Sequence, residues 1–295
     1  MKLRHFEQSN FGDALNPLIF ETLLPGFFDD DPGIEFVGIG SLLGLDVIRN
    51  GARKIVFSTG FAYGEKPIID DSFDVFCVRG PLTARALGLP PETAIADGAL
   101  LLPLLGLERP QPRYDFSFMP HWESEFKFDW RPVCAAANVH YISPRADVRH
   151  TLDEIQASRV IIAEAAHAAI VADCLRVPWI AVKAYRGINE FKWLDWAHSL
   201  GLDYEPVRLA SLFNNNQYVR EMVRARFGTV LPTSAYAPLL SLYEIYQSRV
   251  RMPEAVSQLE YVKTRSPQLS DERLSADKTG RLYDQLQNVK RKYSH

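Results

Sequence analysis

The sequence predicts an α/β protein with two β/α domains and a helical C-terminal segment. Short apolar runs alternate with segments of helical spacing over the first two thirds of the chain. This alternation is typical of parallel sheets flanked by helices. A stretch with two prolines and mixed charges at residues 106–113 interrupts the alternation and indicates a linker. The length of 295 residues also suits two domains of about 100–150 residues each.

The first predicted domain covers residues 1–110. Apolar residues at helical spacing predict a helix over 13–24, with Asp13 as its N-terminal cap. Apolar runs that end near glycine or serine predict strands at 34–39, 54–58 and 73–78. A short helix from Pro81 to Leu87 follows the third strand.

The second predicted domain covers residues 111–205 and repeats the alternation. Its predicted strands lie at 114–119, 139–143, 160–163 and 179–182. Its predicted helices lie at 147–157, 167–175 and 189–200, with Asp147 at a positive helix end and Gly201 after the last. The segment 206–295 is predicted to be helical at 215–227, 236–250, 254–264 and 271–292.

Composition excludes several classes of protein. Hydrophobic residues make up 47% and charged residues 23%, so the chain has enough apolar side chain to fold. A net charge of −3 gives no reason to expect nucleic-acid binding. The sequence shows no transmembrane run, no signal peptide and no metal-binding spacing, and its three cysteines lie far apart. We therefore expect a cytoplasmic protein without a metal.

Three motifs of the first domain stand where a parallel sheet exposes ligand sites. Asn10-Phe11-Gly12-Asp13 precedes a helix, where free N–H groups attract anions and Asp13 could position a sugar hydroxyl. Gly40 and Ser41 follow a strand and could approach a phosphate. Arg79 also ends a strand and suits a carboxylate or phosphate. The alternatives are a helix cap, a plain turn and a surface ion pair, respectively.

The second domain offers two histidines and three cations. His121 and His167 both lie at the carboxyl ends of predicted strands, where an imidazole can act as acid or base. Lys183, Arg186 and Lys192 follow the next strand. A core histidine and a solvated helix charge are the alternatives for His167 and Lys192.

Taken in order, these motifs resemble the polysaccharide pyruvyl transferase family over residues 8–205. The most specific stretch, 158–201, is similar to the branch of the succinoglycan and xanthan ketal pyruvyl transferases. The motifs that carry the resemblance are Asn10-Phe11-Gly12-Asp13, Gly38-Ile39-Gly40-Ser41, Val78-Arg79-Gly80-Pro81, Ala96-Asp97-Gly98-Ala99 and Met119-Pro120-His121.

The resemblance implies a glycosyltransferase-B-like fold, in which two Rossmann-like domains enclose a cleft and the C-terminal helices return toward the first domain. It implies phosphoenolpyruvate as donor, no cofactor, and a pyruvate ketal formed on two hydroxyls of a sugar in a lipid-linked exopolysaccharide repeat unit. The implied roles are catalytic for His167 and His121, donor-binding for Arg79, Lys192, Lys183 and Arg186, and acceptor-side for Asn10, Asp13, Gly40 and Ser41.

The sequence departs from the family pattern at Ala165. Many members have Arg-Leu-His where this chain has Ala165-Ala166-His167, and the arginine helps to bind the donor. Either Lys183, Arg186 or Lys192 replaces it, or the donor sits differently.

Two other functions are open: a sugar-nucleotide glycosyltransferase of the same fold, and a non-catalytic relative in polysaccharide assembly. A basic C-terminus and a lipid-linked acceptor would also suit peripheral contact with the inner face of the membrane. An ordinary charged surface helix is the alternative for that C-terminus.

Overall fold

The structure is a computed structural model that describes residues 1–6, 10–29, 31–45, 51–213, 223–228 and 233–294. Its secondary structure is α/β, as predicted, with two parallel sheets. The first sheet has the strand order β1-β2-β3-β4, with all neighbours parallel. Its strands are β1 (Lys2–Arg4), β2 (Ile34–Val37), β3 (Arg53–Phe57) and β4 (Phe73–Cys77).

The first half contains four helices in its described part. α1 (Phe11–Leu23) connects β1 to β2, and α2 (Pro81–Leu87) and two 3-10 helices, Pro91–Thr93 and Gly98–Leu105, follow β4. The predicted cap of α1 was wrong. The helix begins at Phe11 and is capped by Asn10, whose side chain accepts a hydrogen bond from the Gly12 amide. Asn and Asp are about equally good N-caps, so residue type alone does not decide whether Asn10 or Asp13 caps the helix.

The second sheet has the strand order β6-β5-β7-β8-β9 and is also parallel. Its strands are β5 (Tyr114–Met119), β6 (His140–Tyr141), β7 (Ser158–Ala163), β8 (Trp179–Lys183) and β9 (Val207–Arg208). The predicted strand at 139–143 is thus only two residues long.

Five helices accompany the second sheet. They are α3 (Trp122–Lys127), α4 (Arg131–Ala136), α5 (Val148–Gln156), α6 (Ala166–Cys174) and α7 (Glu190–Ser199). The last three were predicted, and Asp147 caps α5 by accepting hydrogen bonds from two amides of its first turn. The first two have only six residues each, and the sequence pattern did not predict them.

The C-terminal segment is helical where it is described. α8 (Thr233–Tyr246) continues through a π-helical turn, Gln247–Arg251, into α9 (Met252–Val262), and α10 (Glu272–Tyr293) ends the chain. The helix predicted at 215–227 lies mostly outside the described residues, and its described part, 223–227, is helical. No helix within the described ranges has the length and apolar character needed to cross a bilayer.

The last helix, α10, packs against the first half of the chain. Leu282, Leu286 and Val289 are fully buried in the same apolar cluster as side chains of α1, β2, α6 and α7. The Tyr293 hydroxyl donates a hydrogen bond of 2.7 Å to Asp74 of β4. The two sheets and the final helix therefore share one core, which holds the strand ends of both sheets in a defined relation.

Candidate active site

The carboxyl ends of strands from both sheets meet in one polar region. Contacts between the two halves of the chain lie there, including the following three. Arg79, after β4, pairs with Asp195 of α7. His167, at the start of α6, faces Asp97. The side chain of Asn189, the cap of α7, donates a hydrogen bond of 2.6 Å to the Ala62 carbonyl. Ligands of parallel α/β proteins bind at this edge of the sheet, so this junction is the candidate site.

His167 is the central side chain of the junction. It is the second residue of α6, the helix that follows β7 after a two-residue connection, and only 5% of its surface is exposed. Its ring lies against the first turn of α1, where a Cβ atom added to Gly12 would be 1.9 Å from Nδ1. Only glycine therefore leaves room at that position. The opposite nitrogen, Nε2, lies 3.7 Å from Oδ2 of Asp97.

Asp97 is a fully buried acid that the sequence analysis noted only as part of a turn. It caps the 3-10 helix Gly98–Leu105, because its Oδ1 accepts a hydrogen bond of 3.0 Å from the Ala99 amide. Burial raises its pKa, but the neighbouring His167 and the charge of Arg79 outweigh burial and lower the pKa overall. Asp97 is therefore an anion beside the imidazole.

Lys192 supplies a positive charge to the same region. Burial, followed by the guanidinium of Arg79, lowers its pKa, while Asp13 and Asp97 oppose that change. Its ammonium has no hydrogen-bond or ion-pair partner among the residues that the structure describes. Burial and the Lys192 charge also lower the pKa of His167, against the opposing effect of Asp97 and Asp13. An unpartnered ammonium within electrostatic range of a buried imidazole is suited to an anionic ligand.

Asp13 lies in the first turn of α1, facing the same charges. Its carboxylate accepts a hydrogen bond of 2.6 Å from the Asn10 side chain. Burial raises its pKa, and the charges of His167 and Lys192 oppose this effect. Gly40 adopts a φ of +130°, and a Cβ there would lie 3.4 Å from Asp13 Oδ1. Asn10, Asp13 and Gly40 therefore form one wall of the region.

Arg79 is held by hydrogen bonds to other side chains of the protein. Its guanidinium is fully buried, so the alternative of a surface ion pair was wrong. Nε donates to Asp195 at 3.1 Å, and Nη1 donates to Ser41 Oγ at 2.8 Å. Asp195 also accepts hydrogen bonds from the backbone and side chain of Thr83. Arg79 thus ties α7 to the strand ends of the first sheet.

His121 lies at the edge of the second sheet as the cap of α3. Its Nδ1 accepts a hydrogen bond from the Glu123 amide, and its ring stacks on Tyr185 with centroids 6.0 Å apart. Burial, followed by the charge of Lys192, lowers the pKa of His121 to about 4. The ring is therefore neutral near pH 7, when it can accept but not supply a proton.

Glu164 is a structural acid at this edge that the sequence analysis missed. It follows β7, is fully buried, and accepts hydrogen bonds from the amides of His121, Ala184 and Tyr185 at 2.7–2.9 Å. Burial raises its pKa. Its carboxylate ties together the segments that follow β5 and β8. A lone acid directly after a buried strand was the only signal in the sequence.

The remaining predicted cations lie apart from this cluster. Lys183 pairs with Glu190, with 2.6 Å between Nζ and Oε1, and Arg186 is exposed. Of Lys183, Arg186 and Lys192, it is Lys192 whose charge is among the main influences on the pKa of His167. Within the described ranges, no group of three or more His, Cys, Asp or Glu side chains is placed to hold a metal ion.

Fold and site together define an α/β protein with two parallel sheets, whose strand ends enclose buried acids, an imidazole and an ammonium. No protein-family profile matches the chain. The chain is similar to the succinoglycan biosynthesis protein ExoV of Rhizobium meliloti (strain 1021), with 41% identity over 209 residues. The match covers 69% of this chain and 65% of that relative, so the chain spans just under two thirds of its length. This similarity agrees with the succinoglycan branch that the motifs resemble.

Proposed function

We propose that the protein acts in exopolysaccharide biosynthesis as a ketal pyruvyltransferase. It transfers the enolpyruvyl group of phosphoenolpyruvate onto two hydroxyls of a sugar in a lipid-linked repeat unit and releases phosphate. The observation that carries this proposal is the Lys192 ammonium, which acts electrostatically on His167 and Asp13 and has no hydrogen-bond or ion-pair partner among the described residues. The similarity to a succinoglycan biosynthesis protein supports the polysaccharide context.

The donor is a small anion with a phosphate and a carboxylate. Lys192 binds one of these groups, and the free N–H groups at the start of α6 favour negative charge beside His167. Ala165 caps α6 without a side-chain hydrogen bond. Lys192 therefore takes the place of the arginine that many family members have at that position. Arg79 is held by Asp195 and Ser41 through Nε and Nη1, whereas its buried Nη2 has no hydrogen-bond partner in the described part of the chain. It supports the donor side by its charge.

The reaction needs an acid for the donor and a base for the acceptor. The anionic donor, together with Asp97 and Asp13, offsets the effect of burial and Lys192 and favours the protonated form of His167. The protonated ring delivers a proton to C3 of phosphoenolpyruvate, which makes C2 electrophilic. A sugar hydroxyl attacks C2 and transfers its proton to Asp13. The C–O bond to phosphate then breaks, and the second hydroxyl closes the ketal. One of the two hydroxyl protons restores to His167 the proton that it gave to the new methyl group. The other hydroxyl proton leaves with phosphate.

His121 is the second acid–base candidate. Because its pKa is lowered to about 4, its role near neutral pH is that of a proton acceptor or a hydrogen-bond partner. Asn10, Asp13, Gly40 and Ser41 form the acceptor side. The two sheets act as the halves of a glycosyltransferase-B-like arrangement, and the protein works at the inner face of the membrane, where a lipid-linked acceptor is available.

The proposed reaction is tested by following both products. The purified protein is incubated with phosphoenolpyruvate carrying a carbon label in its enolpyruvyl group and with lipid-linked repeat units that lack the ketal. We expect label in the lipid-linked fraction and one phosphate released for each label incorporated. Lys192→Met should abolish most incorporation, whereas Lys290→Met, at an exposed position of α10, should not change it. Sugar transfer from a nucleotide donor without incorporation of label would contradict the proposal and support a glycosyltransferase.

A further inference from the structure

Two buried polar atoms face each other in the junction without a hydrogen bond. Nε2 of His167 and Oδ2 of Asp97 are both inaccessible to solvent, and neither has a partner within the described part of the chain. They are 3.7 Å apart, slightly beyond hydrogen-bond distance. Buried polar atoms are almost always paired in native proteins. A small rotation of either side chain would join these two.

Both side chains are held by their surroundings. The Asp97 carboxylate is fixed by its bond to the Ala99 amide. The turn after it packs on the residue that follows β3, since a Cβ added to Gly98 would lie 2.4 Å from Ser58 Oγ. On its other side, the His167 ring is confined by Gly12. The imidazole of the second half therefore sits in a slot formed by elements of the first half.

We propose that Asp97 is a positioning residue for His167: its Oδ2 accepts the Nε2–H hydrogen bond and leaves Nδ1 directed at the first turn of α1. Nδ1 is then the nitrogen that meets the ligand beside Asn10 and Asp13. The chemical role of this nitrogen depends on the proposed pyruvyl transfer, but its orientation does not. In the neutral ring, the proton resides on Nε2.

Several charged groups act on His167, and the test must separate them. Asp97 comes from the 3-10 helix, Asp13 from α1 and Lys192 from α7. Asp97 and Asp13 favour the protonated ring, and Lys192 opposes it. Asp97→Asn removes one negative charge while keeping the size of the side chain and the helix cap, because Asn is an equally good cap. The substitution therefore changes the partner of Nε2 with little change in packing.

The experiment is a histidine-labelled ¹⁵N NMR titration of the full chain, with His167→Gln used to assign the His167 signals. We expect the neutral ring of the wild type to carry its proton on Nε2. Asp97→Asn should lower the pKa of His167 and populate both tautomers. The control is Asp173→Asn, which alters a buried carboxylate bonded to Trp179 and Ser270, and it should leave the His167 signals unchanged. A wild-type ring protonated on Nδ1, or a pKa that Asp97→Asn does not move, would overturn the assignment.

Activity gives a second readout, separate from the first. With saturating phosphoenolpyruvate, Asp97→Asn should lower kcat by about 10²–10⁴-fold, the range of a single acid–base group, and change the donor KM much less. The limb of the pH–rate profile that reports His167 should move in the same direction as the NMR pKa. An unchanged kcat would overturn the positioning role. If the tautomer behaves as expected but the wild type forms no ketal, the orientation is correct and the proposed function is wrong.

Discussion

Gly12→Ala is the substitution that tests the contact between the two halves most sharply. The added methyl would lie 1.9 Å from Nδ1 of His167. Ordinary contact begins near 3.4 Å, so the ring or the first turn of α1 must move by about 1.5 Å. The ring cannot move away freely, because it is buried and Asp97 lies behind it.

The effects on activity and on stability should differ. A misplacement of about 1 Å at a reacting group can cost about 100-fold in rate, so we expect Gly12→Ala to lower kcat by at least that factor. The overpacking costs about 1–3 kcal/mol, but alanine regains up to about 1 kcal/mol of helix propensity over glycine. The free energy of unfolding should therefore fall by at most about 2–3 kcal/mol, and the protein should still fold.

The assay is phosphate release in the presence of donor and acceptor, together with urea unfolding of the same preparations. Gly280→Ala is the matched control, because Gly280 lies in α10 with no atom within 4 Å of the added Cβ. This variant should be equally active and slightly more stable. If Gly12→Ala keeps wild-type kcat, then His167 is not confined as described, and its catalytic role is refuted.

Further predictions concern other parts of the site and the core. Lys192→Met should weaken phosphoenolpyruvate binding by about 10- to 100-fold in calorimetry, since a charged hydrogen bond contributes about 1.5–3 kcal/mol; an unchanged Kd would show that the ammonium does not touch the donor. Arg79→Met leaves the fully buried Asp195 without its cationic partner and should lower the free energy of unfolding by about 3–5 kcal/mol; a loss below about 1 kcal/mol in urea unfolding would argue against the importance of the Arg79–Asp195 ion pair. The His121 pKa lies below its ordinary value of 6.5, at about 4, so the unfolded chain binds a proton there that the folded chain does not. The free energy of unfolding should therefore rise with pH between about 4 and 6.5, and His121→Gln should reduce this slope; equal slopes would contradict the burial. Leu286→Ala in α10 should cost about 2–5 kcal/mol, and a neutral result would show that α10 does not pack on the core.

Most of the regular elements could be predicted because their patterns are local. β5 was predicted to the residue, since its apolar run lies between the linker and Pro120. The 3-10 helix Gly98–Leu105 was not predicted, because it is buried over most of its length and interrupted by Pro103, which removes any periodicity. β1 and β9 have only three and two residues, too few to show an alternation.

The site was only partly predictable, for a different reason. Residues at strand ends, such as His167 and Arg79, are marked by topology. Their partners are not, since Asp195 lies 116 positions from Arg79 and stands in a helix pattern that indicates nothing about an ion pair. Arg186 is exposed, whereas Lys192 acts on the site. This difference likewise depends on which side chains of the segment after β8 point into the protein. Tertiary packing decides that, and local sequence does not.

The central claim is that this junction binds phosphoenolpyruvate, and a thermal unfolding experiment tests it most directly. Wild-type protein and Lys192→Met are heated with phosphoenolpyruvate, inorganic phosphate, uridine diphosphate or guanosine diphosphate. At about 100 times its Kd, a ligand adds about 2.7 kcal/mol to the free energy of unfolding, which raises the Tm by several degrees. The account predicts this rise with phosphoenolpyruvate for the wild type and its loss in Lys192→Met. Stabilisation by a nucleotide diphosphate, with none by phosphoenolpyruvate, would contradict it.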